Sequence, residues 1–243
     1  MSDSNTIRTA CVIGAAGAIG RAFVDALCQR DDIQRLYAFS RTPSDSVHPK
    51  VVNGQLDYRE PESIERAAAT IDEPLDLIVV ATGVLHDADG LRPEKTFRAM
   101  DADHMARVLK VNTIGPALVA THFLPKLRPA SRSVFAALSA RVGSIADNRL
   151  GGWYSYRASK AALNMILRTL AIEVARRNRH AIIVGLHPGT VDSALSEPFQ
   201  ANVPQGKLFT PQRSAKALLD VVDGLDSSAS GSVFDWAGDR VPE

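Results

Sequence analysis

Apolar residues recur along this chain in two alternating rhythms. Unbroken apolar runs of strand length lie within 9–13, 36–39, 75–81, 133–139 and 180–186. Between and after them, segments 21–30, 61–70, 100–124, 154–177 and 211–222 place apolar residues three and four positions apart. Continuous runs suit strands buried on both faces of a parallel sheet, and the wider spacing gives helices one stripe to lay against it. A shorter extended piece at 51–56 and a last one at 232–236 complete the pattern. The alternation predicts βαβ units in an α/β fold, a single Rossmann-type doubly wound parallel sheet with helices on both faces. One domain spanning 1–243 is the economical count. The stretch 190–210 loses periodicity and carries Pro198, Phe199, Pro204 and Phe209, so it is expected to be a long loop serving as a lid.

Chemistry-bearing residues collect at the predicted strand ends, where ligands sit in such sheets. After the first strand comes Gly14-Ala15-Ala16-Gly17-Ala18-Ile19-Gly20, followed by a helix. Strand, glycine turn and helix make a phosphate cradle: Gly14 can form the tight turn, Gly17 admits a pyrophosphate, and Gly20 lets helix and strand approach. The second strand ends in Ser40-Arg41, without the acidic residue that grips a free ribose hydroxyl. Arg41 suits a 2′-phosphate, so NADP is expected over NAD. Gly83, Ser139 and Pro188-Gly189 end later strands on the same edge. At the start of the fourth helical segment, Tyr156 and Lys160 share one helix face. An ammonium beside a phenol favours phenolate, which suits Tyr156 to general acid or base work. Asn112, Thr113, Gly115 and Pro116 interrupt the long third helical segment. Pro116 removes an amide and frees a carbonyl near Asn112, and this segment alone leaves a water-holding kink and a plain packing kink equally open.

Composition narrows the reading. With 28 basic and 27 acidic residues and a net charge of +1, nothing argues for a nucleic-acid or membrane field. No apolar run is long enough to span a bilayer, and residues 1–9 show no secretory signal, so a cytoplasmic protein is expected. Cys11 and Cys28 have no redox or metal spacing, and the six histidines are scattered, so no metal is predicted.

Taken together, Tyr156-x-x-x-Lys160, Asn112, the glycine turn and Pro188-Gly189 resemble the short-chain dehydrogenase/reductase family over nearly the whole chain. Ser139-Ala140-Arg141-Val142-Gly143-Ser144, His187-Pro188-Gly189-Thr190-Val191-Asp192 and Phe234-Asp235-Trp236 resemble its C-factor-like or carbonyl-reductase-like branch. The resemblance implies a hydride-transferring oxidoreductase acting on a small carbonyl or secondary alcohol. Tyr156 would donate the proton, Lys160 would bind the nicotinamide ribose and lower the phenol pKa, and Asn112 would position a relay water. Asp57 would hold the adenine amino group, and Ser193 would meet the carboxamide. Ile19, Gly83, Pro188, Gly189 and Val191 complete the implied dinucleotide contacts. A homodimer or homotetramer is implied, formed through the helices at 100–124 and 154–177.

Three departures stand out. Ala18 replaces the second glycine of the family's usual turn, with Gly17 preceding it. Val80-Ala81-Thr82-Gly83 lacks the side-chain amides that brace the sheet edge, so another group must brace it. Alignment on Gly143 puts the family's catalytic serine at Ala140, which leaves Ser139, if the strand end twists or bulges, or Ser144 to replace it. The Ala140 substitution supports a second class, a dinucleotide-binding regulatory or signalling protein with little turnover. Trp153, Phe199 and Phe209 are candidates either for an apolar pocket or for core and lid packing.

Overall fold

The strands expected from the apolar runs form one parallel sheet. They are β1 (Thr9–Ile13), β2 (Arg35–Ser40), β3 (Val51–Gln55), β4 (Leu77–Val80), β5 (Ser133–Leu138), β6 (Ala181–His187) and β9 (Val233–Asp235). The computed structural model describes residues 6–43 and 47–243. Within it the spatial order is β3-β2-β1-β4-β5-β6-β9, every neighbouring pair parallel. The order reverses between β1 and β4, which opens a crevice beyond their carboxyl ends.

Alternate residues of each central strand feed two cores. Val134, Ala136 and Leu138 of β5 join one with α1 (Ala18–Cys28) and α6 (Pro211–Gly224). Phe135 and Ala137 join the other with α2 (Pro61–Ala69), α4 (Gly115–Phe123) and α5 (Tyr154–Ala175). Burial on both faces explains the unbroken apolar runs.

The interrupted third helical segment is resolved by its backbone bonds. α3 (Ala102–Leu109) passes through a π-helical turn, Lys110–Ile114, directly into α4. Pro116 has no N–H to give to the Asn112 carbonyl, and the Gly115 amide bonds back to Lys110 O instead, five residues away. The widened turn carries Asn112 into the interior, where it is fully buried. Gly115 is required beside it, because a Cβ there would lie 2.2 Å from the Tyr58 ring.

The stretch 190–210 differs from expectation. β7 (Thr190–Val191) and β8 (Leu208–Phe209) pair in parallel, and a short 3-10 segment, Glu197–Asn202, lies between them. Val191 and Phe209 are buried there, and the Asp192 amide bonds Phe209 O at 2.8 Å. Two apolar anchors thus give structure to a segment too short to show periodicity. Among the described residues, no helix is long and apolar enough to cross a membrane.

Candidate active site

The crevice at the strand ends is a cleft of about 1510 Å³. Its floor begins at the glycine turn. Gly14 sits at φ +88°, and its amide and that of Ala15 bond Phe39 O at 2.8 and 3.1 Å. Gly17 caps α1 without a side chain, and the first helical bond runs from Arg21 N to Gly17 O. The amides of the first turn therefore lack partners within the helix and are ready donors to a phosphate. Gly20 lies behind this surface, where a Cβ would stand 2.1 Å from Gly14 O. Its role is close packing, while Gly14, Gly17 and Ile19 form the wall.

At the β2 and β3 ends of the cleft stand Ser40, Arg41 and Asp57. Arg59, which the sequence reading did not single out, forks onto Asp57: its Nε reaches Oδ2 at 2.9 Å and its outer nitrogen reaches the same oxygen at 2.6 Å. The Arg59 guanidinium holds the Asp57 carboxyl below its ordinary range, with a smaller contribution from the charge of Arg41. Much of the acceptor capacity assigned to an adenine amino group is thus already used by arginine.

The brace that the sequence left unnamed is Asn112. Its Oδ1 accepts the Val84 amide at 2.8 Å and its Nδ2 donates to Val84 O at 2.9 Å, a reciprocal pair that fixes the backbone just after Gly83. Nδ2 also donates to Ser159 Oγ at 3.1 Å, tying the same amide to α5. Tyr58 adds a second tie through its hydroxyl to Thr82 Oγ1 at 2.9 Å.

Tyr156 and Lys160 line the cleft beside Gly83 and Ser139. Lys160 is 2% exposed and its Nζ donates to Leu138 O at 2.7 Å. Burial pushes its ammonium down to about 8. Burial also pushes the Tyr156 phenol up to about 12. The Lys160 ammonium stands over the Tyr156 ring, 5.9 Å from its centroid, and donates to the Leu138 carbonyl.

Ser139 continues the ladder of β5 through a 2.8 Å bond from its amide to Leu186 O, and it lines the cleft. Its hydroxyl donates to Asn164 Oδ1 at 2.6 Å. Ala140 is extended at φ −152°, ψ 146°, so its side chain leaves on the opposite side. Ser144, the other candidate, accepts the Asp147 amide at 3.0 Å and closes a turn. Asn164 was legible only as the third member of an i, i+4, i+8 series on α5 with Tyr156 and Lys160.

Beyond β6, Pro188 and Ser193 reach the cleft wall. Gly189 and Val191 do not line it. A Cβ on Gly189, at φ +76°, would meet the Phe209 ring at 3.0 Å, and Val191 is buried in the β7–β8 pair. The aromatic residues separate in the same way. Trp153 stands edge-on to Tyr156 at 6.1 Å and against Phe199 at 5.0 Å, whereas Phe209 packs on Trp236 at 4.7 Å, away from Tyr156.

Residues 8–204 match the family described as short chain dehydrogenase, most of the sheet and every residue at the Tyr156 end of the cleft included. The chain belongs to the short-chain dehydrogenase family. It is 38% identical over 143 residues to the C-signal protein of Myxococcus xanthus, covering 59% of this chain and 81% of that protein. A 1-hydroxy-2-glutathionyl-2-methyl-3-butene dehydrogenase of Rhodococcus sp. (strain AD45) is 29% identical over 228 residues, 92% of this chain and 94% of the relative. Among solved structures, the NADPH-bound carbonyl reductase from chicken fatty liver superposes with a TM-score of 0.84 at 27% identity, over 98% of this chain and 99% of that one. The short-chain dehydrogenase described here is an NAD(P)-dependent oxidoreductase acting between C=O and CH–OH groups.

Proposed function

We propose that this short-chain dehydrogenase uses NADP to interconvert a small carbonyl compound and its secondary alcohol, with Tyr156 as proton donor or acceptor. The observation that carries the reading is that one cleft joins the glycine turn at one end to Tyr156 and Lys160 at the other. The cradle fits a dinucleotide, since side chains at Gly14, Gly17 or Gly20 would approach backbone or side-chain atoms within 3.3 Å. Gly14, Gly17 and Ile19 would hold the pyrophosphate, Arg41 the 2′-phosphate, and Ser193 with Pro188 the nicotinamide end. When bound, the cofactor supplies the hydride.

The chain's own residues supply the proton and the geometry. A phenol pushed up to about 12 keeps its proton at neutral pH, which favours donation to the alkoxide formed on reduction. Lys160 steadies the cleft wall through Leu138 O, and Asn112 fixes the Val84 backbone opposite it. Ser139 can turn its hydroxyl toward a carbonyl only by releasing Asn164, so the reading leaves Tyr156 as the principal donor. Residues 1–243 act as one domain in this reading. The protein works in the cytoplasm, where the free thiols Cys11 and Cys28 stay reduced. Ile114, Met165 and Ile172, each at least half exposed on α4's approach and α5, support a homodimer or homotetramer.

Fluorescence titration tests the cofactor assignment without a known substrate. NADPH is expected to bind more tightly than NADH, and Arg41→Ala to weaken NADPH alone by about 10- to 100-fold, the scale of one charge-assisted phosphate bond. Equal loss for both cofactors would remove Arg41 from 2′-phosphate recognition.

One observation favours a second reading, a dinucleotide-binding signalling protein with little turnover: Ala140 offers no hydroxyl, Ser139 gives its hydroxyl to Asn164, and Ser144 does not line the cleft. Under the enzyme reading Asn164→Ala frees the Ser139 hydroxyl, which lines the cleft, and raises kcat by up to about 100-fold, the scale of one oxyanion contact. An unchanged kcat means that no missing hydroxyl limits the site.

A further inference from the structure

We infer that Glu94 is a positioning residue of the active site, acting through the first turn of α5 on Trp153 and Tyr156. The inference rests on the reading of Tyr156 as proton donor. Glu94 lies in the loop between β4 and α3, some sixty residues before α5 in sequence, yet it is 5% exposed and buried against that helix. Its Oε2 accepts the Ser155 amide at 3.1 Å, its Oε1 accepts the Ser155 hydroxyl, and its backbone carbonyl accepts the Trp153 amide at 2.5 Å.

These contacts answer a need of the helix. The N-cap position of α5 is Trp153, which makes no side-chain cap bond. The first-turn amides of a helix need acceptors from outside, and a carboxylate is the group that the positive end of the dipole favours. Glu94 delivers both from a distant segment. It thereby fastens the loop after β4 to the residue next to Tyr156.

The same contacts set the backbone of Trp153. That residue is left-handed at φ 53°, ψ 43°, following Gly151 and Gly152 at φ 62° and 66°. A bulky residue persists there only where its surroundings hold it, and such residues gather at functional sites. Held so, the indole stands edge-on to Tyr156 at 6.1 Å and meets Phe199 at 5.0 Å, and Phe199 meets His86 at 5.8 Å. The His86 ring nitrogen in turn lies 2.9 Å from Ala194 O. Glu94 therefore holds the wall that adjoins the phenol at two points, its carboxylate on Ser155 and its backbone carbonyl on Trp153.

Trp153 and Trp236 are the two tryptophans of the chain, so a Trp236→Phe background makes Trp153 the sole reporter. In it, Glu94→Ala is expected to shift Trp153 emission to longer wavelength and to lower kcat by about 10- to 100-fold, the scale of a misplaced catalytic group. The Kd for NADPH should stay at the parent value, because the glycine turn and Arg41 are untouched. Glu94→Gln keeps an acceptor for Ser155 and is expected to restore most of the lost kcat. Parent emission with parent kcat in Glu94→Ala overturns the inference, as does a fall in kcat matched by equal losses of NADPH binding and of folded protein. Should Glu94→Ala fail to fold, Ser155→Ala carries the test with shifts in the same direction but smaller, since the amide at 155 keeps its bond to the carboxylate, and parent emission with parent kcat there overturns the inference. A parent protein that reduces no carbonyl compound counts against the reductase reading, while the emission of Trp153 still decides whether Glu94 holds this turn.

Discussion

Tyr156→Phe is expected to leave the affinity for NADPH at the parent value and to lower kcat for carbonyl reduction by about 10²- to 10⁴-fold, the usual range for a removed general acid. The substitution deletes one oxygen and keeps the ring, so the edge-on contact with Trp153 and the ring contact with Lys160 both survive. The phosphate cradle at Gly14 and Gly17 lies at the other end of the cleft and is untouched. Steady-state kinetics beside a binding titration separate the two effects. Retained turnover would remove Tyr156 from its role. The pH dependence adds a check. The phenol, pushed up to about 12, stays protonated through the neutral range, so a change in kcat as pH rises through about 8 belongs to Lys160 losing its proton. Lys160→Arg, which keeps its charge there, is expected to abolish that inflection.

Gly20→Ala is expected to cost the protein both stability and cofactor. The added methyl would stand 2.1 Å from Gly14 O and 2.8 Å from Gly14 C, backbone atoms that cannot swing aside as a side chain can. Either α1 lifts from β1 or the turn at Gly14 opens. Overpacking of this kind costs about 1–3 kcal/mol, and for a chain of this length each kcal/mol lowers Tm by about 2–4 °C. NADPH binding should fall further than Tm suggests, because the Gly14 and Gly17 backbone, which lines the cleft, is the phosphate surface in the proposed reading. Calorimetry and titration on one preparation check both, and a folded variant with parent affinity would show that the turn does not hold the pyrophosphate.

The legibility of the site followed the kind of interaction. Tyr156 and Lys160 were readable because a helix places residues four apart on one face, and the glycine turn because its order of elements is local. Ala140 was readable as a departure, but the partner of Ser139 was not: Asn164 lies 25 residues onward and meets it only when α5 packs on β5. Glu94 gave no signal at all, being a charged residue in an aperiodic loop that burial and a helix end alone make significant. Spacing places an ammonium near the phenol, while the burial that pushes the phenol upward is a property of the folded environment.

The α/β class, the parallel sheet and the strand-end cleft follow from patterns local to the chain, since apolar period and glycine placement repeat along it. Tertiary structure alone decided which hydroxyls are free, that Arg59 takes hold of Asp57, that Asn112 braces Val84, and that residues 190–210 form a paired segment. Each of these depends on distance between residues far apart in the chain, and hydrogen bonds and burial act over a few ångströms in space, whatever the separation in sequence.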